Sequence, residues 1–460
     1  MTRRVLIIAS SYDPAMIADV HRARLLAWEL PKLGWDVEIL CPDKNFQVQS
    51  YLDDDSSGFF PPNIPIHWVE EWYPRILRTL GFGSIGFRAL GPMLYAGRQL
   101  LQRKRFDLVF ISTAKFPLFL LGPALRKWFK IPFVLDLHDP CYKEDTTHPV
   151  WSRPNLKHTA SRWLGKYIES NSVPSAAGLV SVSQNYIETM CRRYAKNNPT
   201  WSLPGNCAVL PFAARPDDLR EAENGIERSN TDAKRPATII YVGAGGPIMA
   251  QSFSLICRTL SRLRTENPVL MEDVRIELYG TMLGWRPGDR QHLAEIAGEC
   301  GLADIVNEYP GRVTYRRSLE LLLKSDGVLI LGVDDSGYMP SKLFNYALAQ
   351  RPLLASLRRD GPALAAFQDK PQLGHALWFA PSDEIAESDA AEIVGTFLEE
   401  VVARQSFDRQ ALLQPNLAAA MARDHIALFE SCLRHSHQGG RKVSIRGNEE
   451  PAKTANAQSR

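Results

Sequence analysis

Short apolar strands alternate with helical segments along most of this chain. Val5–Ala9 has the composition of a buried strand, a helix follows it, and Asp36–Cys41 alternates as a second strand. Such a βαβ unit opens a doubly wound sheet, in which ligands bind beyond the carboxyl ends of the strands. Because the same alternation begins again at Thr238–Val242, we predict an α/β protein of two Rossmann-like domains that face each other across a cleft.

The predicted domain limits follow the strands and two polar stretches. Residues 213–236 are rich in Asp, Glu, Asn, Arg and Pro, which is typical of a surface linker. Residues 436–460 are polar and lack apolar periodicity, so we expect a disordered tail. The other predicted units are a first domain over residues 1–212, a second domain over 237–410 and a closing helix over 411–435 that packs back on the body.

Length and composition limit the class of protein. The 460 residues suffice for two or three domains, and a net charge of +3 does not call for a nucleic-acid partner. Seven scattered cysteines, an odd number with no CxxC pair, fit a reducing cytoplasm rather than a disulfide framework. No apolar run approaches the roughly 18–20 residues of a transmembrane helix, and Val5–Ala9 is too short for the core of a signal peptide.

The most informative polar segment lies between two predicted strands of the second domain. A turn follows the strand Gly327–Gly332, and Ser341 is placed to cap the helix after it. A strand, a polar loop and a helix N-terminus together form a natural anion site, to which Lys342 would add a full positive charge. An ordinary βαβ turn would explain the same residues without any ligand.

Pro340-Ser-Lys-Leu-Phe-Asn-Tyr346 resembles the donor-sugar loop of retaining GT-B glycosyltransferases, especially bacterial members of family 4. Many members read Pro-Ser-Lys-Leu-Phe-Glu-Tyr there, and the resemblance in chain order spans most of residues 3 to 430. It implies that the second domain binds a nucleotide-diphosphate sugar, that the first presents the acceptor, and that transfer retains the anomeric configuration.

The chain departs from this family at a pair of acidic positions. Members often place two Glu residues eight apart, where this sequence has Gly337 and Asn345. The resemblance implies that Asn345 faces the nucleotide ribose, which it can hydrogen-bond without charge. Gly337 would lie beside the donor sugar but offers no side chain.

Two loops supply the predicted donor-binding residues. Glycines after Thr238–Val242 would let the backbone approach a pyrophosphate, although a tight strand-to-helix turn is an equally good explanation. The family usually adds an Arg and a Lys just after this loop, but residues 247–251 supply neither, so Lys342 is the main expected partner of the diphosphate. Arg286, Arg316 and Arg317 are further possibilities. The predicted donor-binding set is Gly243, Gly245, Gly246, Gly337, Tyr338, Met339, Pro340, Ser341 and Asn345.

His138 and Asp139 follow the predicted strand Phe133–Leu137 and complete the catalytic candidates with Lys342. Similar enzymes carry a His or an Arg before an Asp here, near the donor sugar or the acceptor, and a His exchanges protons near neutral pH. Alternatively, His138 only ends the strand and Asp139 only fixes the turn. We assign no side-chain nucleophile.

No metal or cofactor is expected beyond the nucleotide sugar, which is the substrate. Asp334-Asp335 could suggest a metal-binding pair, but two acids in a loop are more often solvated turn formers.

Residues 72–106 contain seven basic and no acidic residues, interleaved with apolar ones. Such a segment can lie on an anionic membrane surface, or it can be a core-packing helical pair with a solvated basic face. The family often uses lipid-linked acceptors, so we expect a cytoplasmic protein, peripheral at the inner face of the membrane, with a glycan or lipid-linked glycan acceptor in cell-surface polysaccharide biosynthesis. A non-catalytic GT-B-like scaffold protein and a nucleotide-sugar epimerase remain alternatives.

Overall fold

The computed structural model describes residues 2–47, 49–70, 84–142, 156–226, 235–282, 284–380 and 385–444. Its strands form two sheets, both entirely parallel. The first has the order β3-β2-β1-β4-β5-β6-β7 and the second the order β10-β9-β8-β11-β12-β13. The prediction of two doubly wound α/β domains is therefore confirmed.

The strands are short, and those at the centre of each sheet are covered by helices on both faces, as parallel sheets require. Their bounds are β1 Arg3–Ala9, β2 Trp35–Pro42, β3 Ile66–Val69, β4 Leu108–Ser112, β5 Phe133–Leu137, β6 Gly178–Ser181, β7 Cys207–Val209, β8 Ala237–Val242, β9 Val274–Tyr279, β10 Val306–Tyr309, β11 Gly327–Leu331, β12 Leu353–Arg358 and β13 His375–Phe379.

The described α-helices mostly connect consecutive strands. Their bounds are α1 Ala18–Glu29, α2 Ile85–Arg103, α3 Leu121–Phe129, α4 Leu156–Ser172, α5 Gln184–Tyr194, α6 Pro216–Glu223, α7 Ala250–Glu266, α8 Pro268–Met271, α9 His292–Glu299, α10 Tyr315–Lys324, α11 Leu343–Leu348, α12 Ala363–Asp369, α13 Glu387–Val402 and α14 Ala418–Ser444. None of these described helices is long and apolar enough to cross a lipid bilayer.

The first sheet separates two apolar layers, because successive side chains of a strand point to opposite faces. On one face, Val5 and Ile7 of β1 share a core with α1 and with Phe429 of α14. On the other face, Leu6 and Ile8 share a core with helices α2, α3 and α4. The last helix of the chain therefore completes the first domain.

Three expected segments differ from the structure. Residues 216–223 of the expected linker form α6, because Asp218 at its start is buried against Arg24 of α1. The expected tail is helical as far as residue 444, since α14 continues through it, and residues 445–460 lie outside the described part of the chain. Residues 312–315, which alternate like a strand, instead form a loop and the first residue of α10.

Candidate active site

A cavity of about 540 Å³ lies between the two domains, at the carboxyl ends of the strands. The first domain lines it with the start of α1 and the residues that follow β4 and β5. The second domain lines it with residues that follow β8 and β9, the start of α10, and the segment from Tyr338 to Tyr346. Doubly wound sheets bind their ligands at this position, so the cavity is the candidate active site.

Lys342 stands at the start of α11 rather than inside it. The helix begins at Leu343 and Lys342 is its N-cap residue, without a side-chain capping bond. The expectation that Ser341 caps this helix is therefore wrong, because the chain turns into the helix one residue later. Ser341 lines the cavity instead.

The amine of Lys342 is held at the end of β8. Its Nζ atom donates a hydrogen bond to the carbonyl oxygen of Val242 at 2.6 Å. The hydroxyl of Tyr346 accepts a hydrogen bond from the Val242 N–H at 2.9 Å and donates one to the same carbonyl. A Cβ atom at Gly243 would collide with the lysine amine. Gly243 is thus needed for the close approach of Lys342 to the strand end.

This ammonium group has a peptide carbonyl, not a carboxylate, as its partner. Burial lowers the pKa of Lys342 to about 8, and no carboxylate in the described part of the chain offsets that effect. A buried cation without an anionic partner is costly. The position of Lys342 therefore favours binding of an anion in the cavity.

The predicted donor loop only partly reaches the cavity. Tyr338, Pro340, Ser341 and Asn345 line it together with Lys342. Met339 is buried in the core instead, with 7% of its surface exposed. Most residues of the loop therefore line the cavity, while Met339 anchors the loop in the apolar core.

Gly337 lies against the first domain. A Cβ atom built on it would come within 2.7 Å of Cε1 of Tyr186, a residue of α5. The phenol of Tyr186 therefore fills the space that a side chain at position 337 would need. Burial raises the pKa of this phenol above its usual value, and the nearby carboxylates of Asp139 and Asp335 add to the effect.

Only the first glycine of the predicted glycine loop lines the cavity. A Cβ atom at Gly245 would meet the side chain of Met249, and Gly246 adopts a positive φ of 49° beside Thr281. These two glycines therefore shape the strand-to-helix turn, as the alternative explanation of this loop predicted. Their amides are not placed at the cavity wall.

His138 and Asp139 point in different directions. Asp139 lines the cavity, whereas His138 is buried beneath it, with Nε2 2.6 Å from Oδ2 of Asp136. The His138 ring also packs edge-on against Phe212. His138 consequently supports the cavity floor rather than facing a ligand directly.

Asp136 anchors this floor through a fully buried ion pair with Arg22 of α1, at 2.8 Å. Burial alone would raise the pKa of Asp136, but Arg22 and His138 outweigh it and hold the pKa well below its usual range. Sequence reasoning did not single out this pair. A charged residue inside the apolar run of β5 was the available signal, because buried charges are paired.

Two further cavity residues were not among the predicted site residues. His21 of α1 lines the cavity, and burial, helped by Arg24, lowers its pKa to about 3, so the ring is neutral near pH 7. Arg312 also lines the cavity, and its Nη1 donates to the buried carboxylate of Asp53 across the two domains at 2.5 Å.

The three arginines considered for the diphosphate are not at the cavity wall. Arg316 binds Asp55 and Glu221, and Arg317 binds Glu320. The backbone N–H of Arg286 bonds to Asp289 in an exposed turn.

The acidic pair considered for a metal is also engaged, since Asp334 pairs with Arg358. Among the described residues, no three His, Cys, Asp or Glu side chains gather to hold a metal ion.

Comparison with known proteins gives a family match for the first domain and structural matches for the whole chain. Residues 20–204 match the glycosyl transferase 4-like domain. No curated protein sequence matches. The α,α-trehalose 6-phosphate synthase of Burkholderia multivorans has a TM-score of 0.61 at 14% identity, covering 98% of this chain and 100% of its own.

Two other solved structures share the arrangement. The catalytic domain of starch synthase IV from Arabidopsis thaliana, bound to ADP and acarbose, has a TM-score of 0.57 at 12% identity and covers 94% of this chain and 100% of its own. A putative UDP-N-acetylglucosamine 2-epimerase from Listeria monocytogenes has a TM-score of 0.51 at 11% identity and covers 94% and 97%. At such identities the similarity concerns the fold. The chain therefore has the GT-B fold, and residues 20–204 of its first domain are similar to the glycosyl transferase 4-like domain.

Proposed function

We propose that this protein is a glycosyltransferase that moves a sugar from a nucleotide-diphosphate sugar to an acceptor bound against the first domain. The observation that carries the proposal is the ammonium of Lys342, partly buried at the cavity wall beside Gly243 with a carbonyl as its partner. A diphosphate entering the cavity would supply the missing negative charge. Charge-assisted hydrogen bonds of this kind are worth about 1.5–3 kcal/mol.

The catalytic contribution of the second domain would be electrostatic. As the bond between the sugar and the diphosphate breaks, negative charge grows on the leaving oxygen, and a prearranged cation stabilises that charge. Lys342 is the cation in this proposal. Asn345, which also lines the cavity, would bond the ribose of the nucleotide. No side-chain nucleophile is assigned.

The first domain would hold the acceptor hydroxyl. Asp139 and the neutral ring of His21 line the cavity from that side. Either group can accept a hydrogen bond from a sugar hydroxyl. His138 would act indirectly, by fixing the loop after β5 through its bond to Asp136.

The resemblance of residues 340–346 to family 4 enzymes supports proposals for the stereochemistry and the acceptor of the reaction. We propose retention of the anomeric configuration and a glycan or lipid-linked glycan acceptor in cell-surface polysaccharide biosynthesis. We propose that the reaction needs no metal, since the Asp334 carboxylate is engaged by Arg358. A cytoplasmic location is consistent with the seven free cysteines.

A thermal-shift screen with UDP, GDP, ADP and dTDP sugars tests donor binding. A ligand present at 100 times its dissociation constant should stabilise the protein by about 2.7 kcal/mol. Lys342→Ala should weaken binding of the stabilising donor by about ten- to hundredfold. Lys324→Ala removes an exposed lysine of α10 and should leave binding unchanged. Equal affinities in all three proteins would remove Lys342 from the donor site.

Two alternatives have support of their own. The phenol of Tyr186 occupies the space beside Gly337, which favours a protein that binds a nucleotide sugar without transferring it. The fold is also shared with a putative epimerase. Release of free nucleoside diphosphate together with a glycosylated acceptor supports transfer. An isomerised donor supports epimerisation, and binding without any product supports the scaffold function.

A further inference from the structure

Three neighbouring helices cover one side of the first domain. Helices α2, α3 and α4 lie side by side, because they precede or connect the adjacent strands β4, β5 and β6. Their apolar sides share one core with Leu6 and Ile8 of β1. We call their outward side the α2–α4 face.

The α2–α4 face has an extreme charge distribution. The sole carboxylate in these three helices is Glu169, whose side chain is fully buried and bonded to Arg193 and Tyr194. An ordinary solvated helix surface mixes both signs of charge. Apart from this buried carboxylate, the charged residues of the three helices are all basic, although the whole chain carries a net charge of only +3. The basic residues of these helices whose side chains the structure describes are Arg88, Arg98, Arg103, Arg126, Lys127, Arg162 and Lys166.

Large aromatic side chains project between these charges. Tyr95 and Trp163 are each 67% exposed, Tyr167 is 49% exposed and Trp128 is 46% exposed. Trp163 and Tyr167 stack on each other with ring centres 5.8 Å apart. Trp and Tyr prefer the boundary between lipid and water, where an apolar ring and a polar edge are both satisfied.

A cleft of about 600 Å³ opens at the C-terminal end of α3. Arg126, Lys127, Lys130 and His435 line it together with hydroxyl-bearing residues, and no carboxylate is among the residues that line it. The guanidinium of Arg126 donates to the carbonyl of Ser175, and among the described residues it pairs with no carboxylate. A phosphate group has the size and charge to enter this cleft.

We propose that the α2–α4 face binds an anionic phospholipid surface, with headgroup phosphates at the basic side chains and aromatic rings at the level of the headgroups. This surface is not the single segment 72–106 expected from sequence. Residues 71–83 lie outside the described part of the chain, and the apolar Met93 and Leu100 of α2 are buried in the core. The charges of α3 and α4, which follow this segment in the sequence, complete the surface.

The position of the face relative to the cavity suits a membrane-bound acceptor. The loop after β4 lines the cavity with Ala114 and Lys115 and then leads into α3. An acceptor anchored in the membrane could therefore reach the cavity from this side. Binding of the face to lipid does not depend on the proposed transfer reaction.

The test is co-sedimentation with vesicles of phosphatidylcholine alone or with 30 mol% phosphatidylglycerol, at about 0.1 M and 1 M salt. We expect binding to the anionic vesicles at low salt and release at high salt, because salt screens exposed charges. Each basic residue near an anionic surface raises the membrane partition coefficient about fivefold. Replacing Arg98, Arg103, Lys127 and Lys166 by Gln should therefore lower the partition coefficient by at least about 100-fold.

The matched control replaces four basic residues elsewhere by Gln, namely Arg286, Lys324, Lys370 and Arg423, which changes the net charge equally. Trp163→Ala should weaken vesicle binding while leaving its salt dependence intact. Donor-induced thermal stabilisation should be the same in all variants, which separates lipid binding from the proposed function. Equal loss in the control variant, equal binding to neutral vesicles, or binding to RNA without binding to vesicles would overturn the proposal.

Discussion

Lys342, Gly243 and Tyr346 act as one unit at the end of β8. On the side facing β11, the pairing of β8 ends at Ile240. Tyr346 replaces a strand partner by bonding both the N–H and the carbonyl of Val242. The same carbonyl then receives the lysine amine. The position of the cation thus depends on a tyrosine four residues away in the same helical segment.

The pKa of Lys342 leads to opposite pH trends for donor affinity and for stability. Donor affinity should be constant below about pH 8 and should fall tenfold per pH unit above it, because binding needs the protonated amine. The empty protein should gain stability between about pH 8 and the ordinary lysine pKa, because the unfolded state then binds the extra proton. Across pH 6.5–10, calorimetric titration measures the donor affinity, and chemical denaturation measures the stability of the empty protein.

Lys342→Met is the reference for both trends, since it keeps an apolar chain without the charge. The variant should bind the donor more weakly at pH 7 and lose the pH dependence of binding. A wild-type affinity that stays constant up to pH 10 would contradict a lowered lysine pKa.

Gly337 and Tyr186 should be energetically coupled. Gly337→Glu restores the residue type that the resembling family carries, yet its Cβ would lie 2.7 Å from the Tyr186 ring. We therefore expect the free energy of unfolding to fall by roughly 1–3 kcal/mol, which is the usual cost of overpacking. The additional substitution Tyr186→Ala should recover most of that loss. Gly298→Ala, which has open space around it, serves as the control, and purely additive effects in the double variant would refute the coupling.

The central strands could be predicted because parallel strands buried on both faces have uninterrupted apolar runs. β3, β10 and β13 were missed because they lie at the edges of the sheets and are only partly buried. Arg312 was misassigned because its segment alternates as well.

In the candidate site, too, sequence patterns identify residues that are contiguous in the chain but not their distant partners. The loop around Lys342 could be found from contiguous residues and their resemblance. The partners Asp53 and Tyr186 could not, since they come from distant parts of the chain.

The loop before β3 connects the two domains. Asp53 is 1% exposed and accepts hydrogen bonds from Arg312 Nη1 and from the Tyr315 backbone N–H at the start of α10. The sequence Asp53-Asp-Asp-Ser-Ser-Gly58 is typical of the tip of a loop. The carboxylate is instead buried between domains, where it offsets the positive N-terminus of α10.

Asp53→Asn should loosen the contact between the domains. Removing one charge of a buried pair leaves the other uncompensated and costs up to about 3–5 kcal/mol. The cost should be lower here, because Arg312 is 22% exposed. Small-angle X-ray scattering should show a larger radius of gyration, partly reversed by donor. Asp55→Asn affects a pair whose carboxylate is 49% exposed, so it should change little. Equal scattering from both variants would show that Asp53 does not hold the domains together.

At the scale of the whole molecule, the chain crosses between the domains twice. It leaves the first domain after β7 and returns with α14, whose buried residues belong to the core of the first domain. Cys432 of α14 packs directly against Gly178 at the start of β6. The two domains should therefore not unfold independently, since the first lacks part of its core without the end of the chain.

Phe429 gives the strongest test of this dependence. It is fully buried, and its ring lies 5.4 Å from Phe110 of β4 and 5.7 Å from Trp35 of β2. Phe429→Ala should lower the free energy of unfolding of the first domain by about 3–5 kcal/mol. Because the two domains unfold together, denaturation followed by tryptophan fluorescence should then show a single transition at a lower denaturant concentration than that of the wild type. Arg423→Ala, at an exposed position of the same helix, should leave a single transition at the wild-type midpoint. If Phe429→Ala also did so, α14 would be an accessory of the first domain and the two sheets would each fold without it.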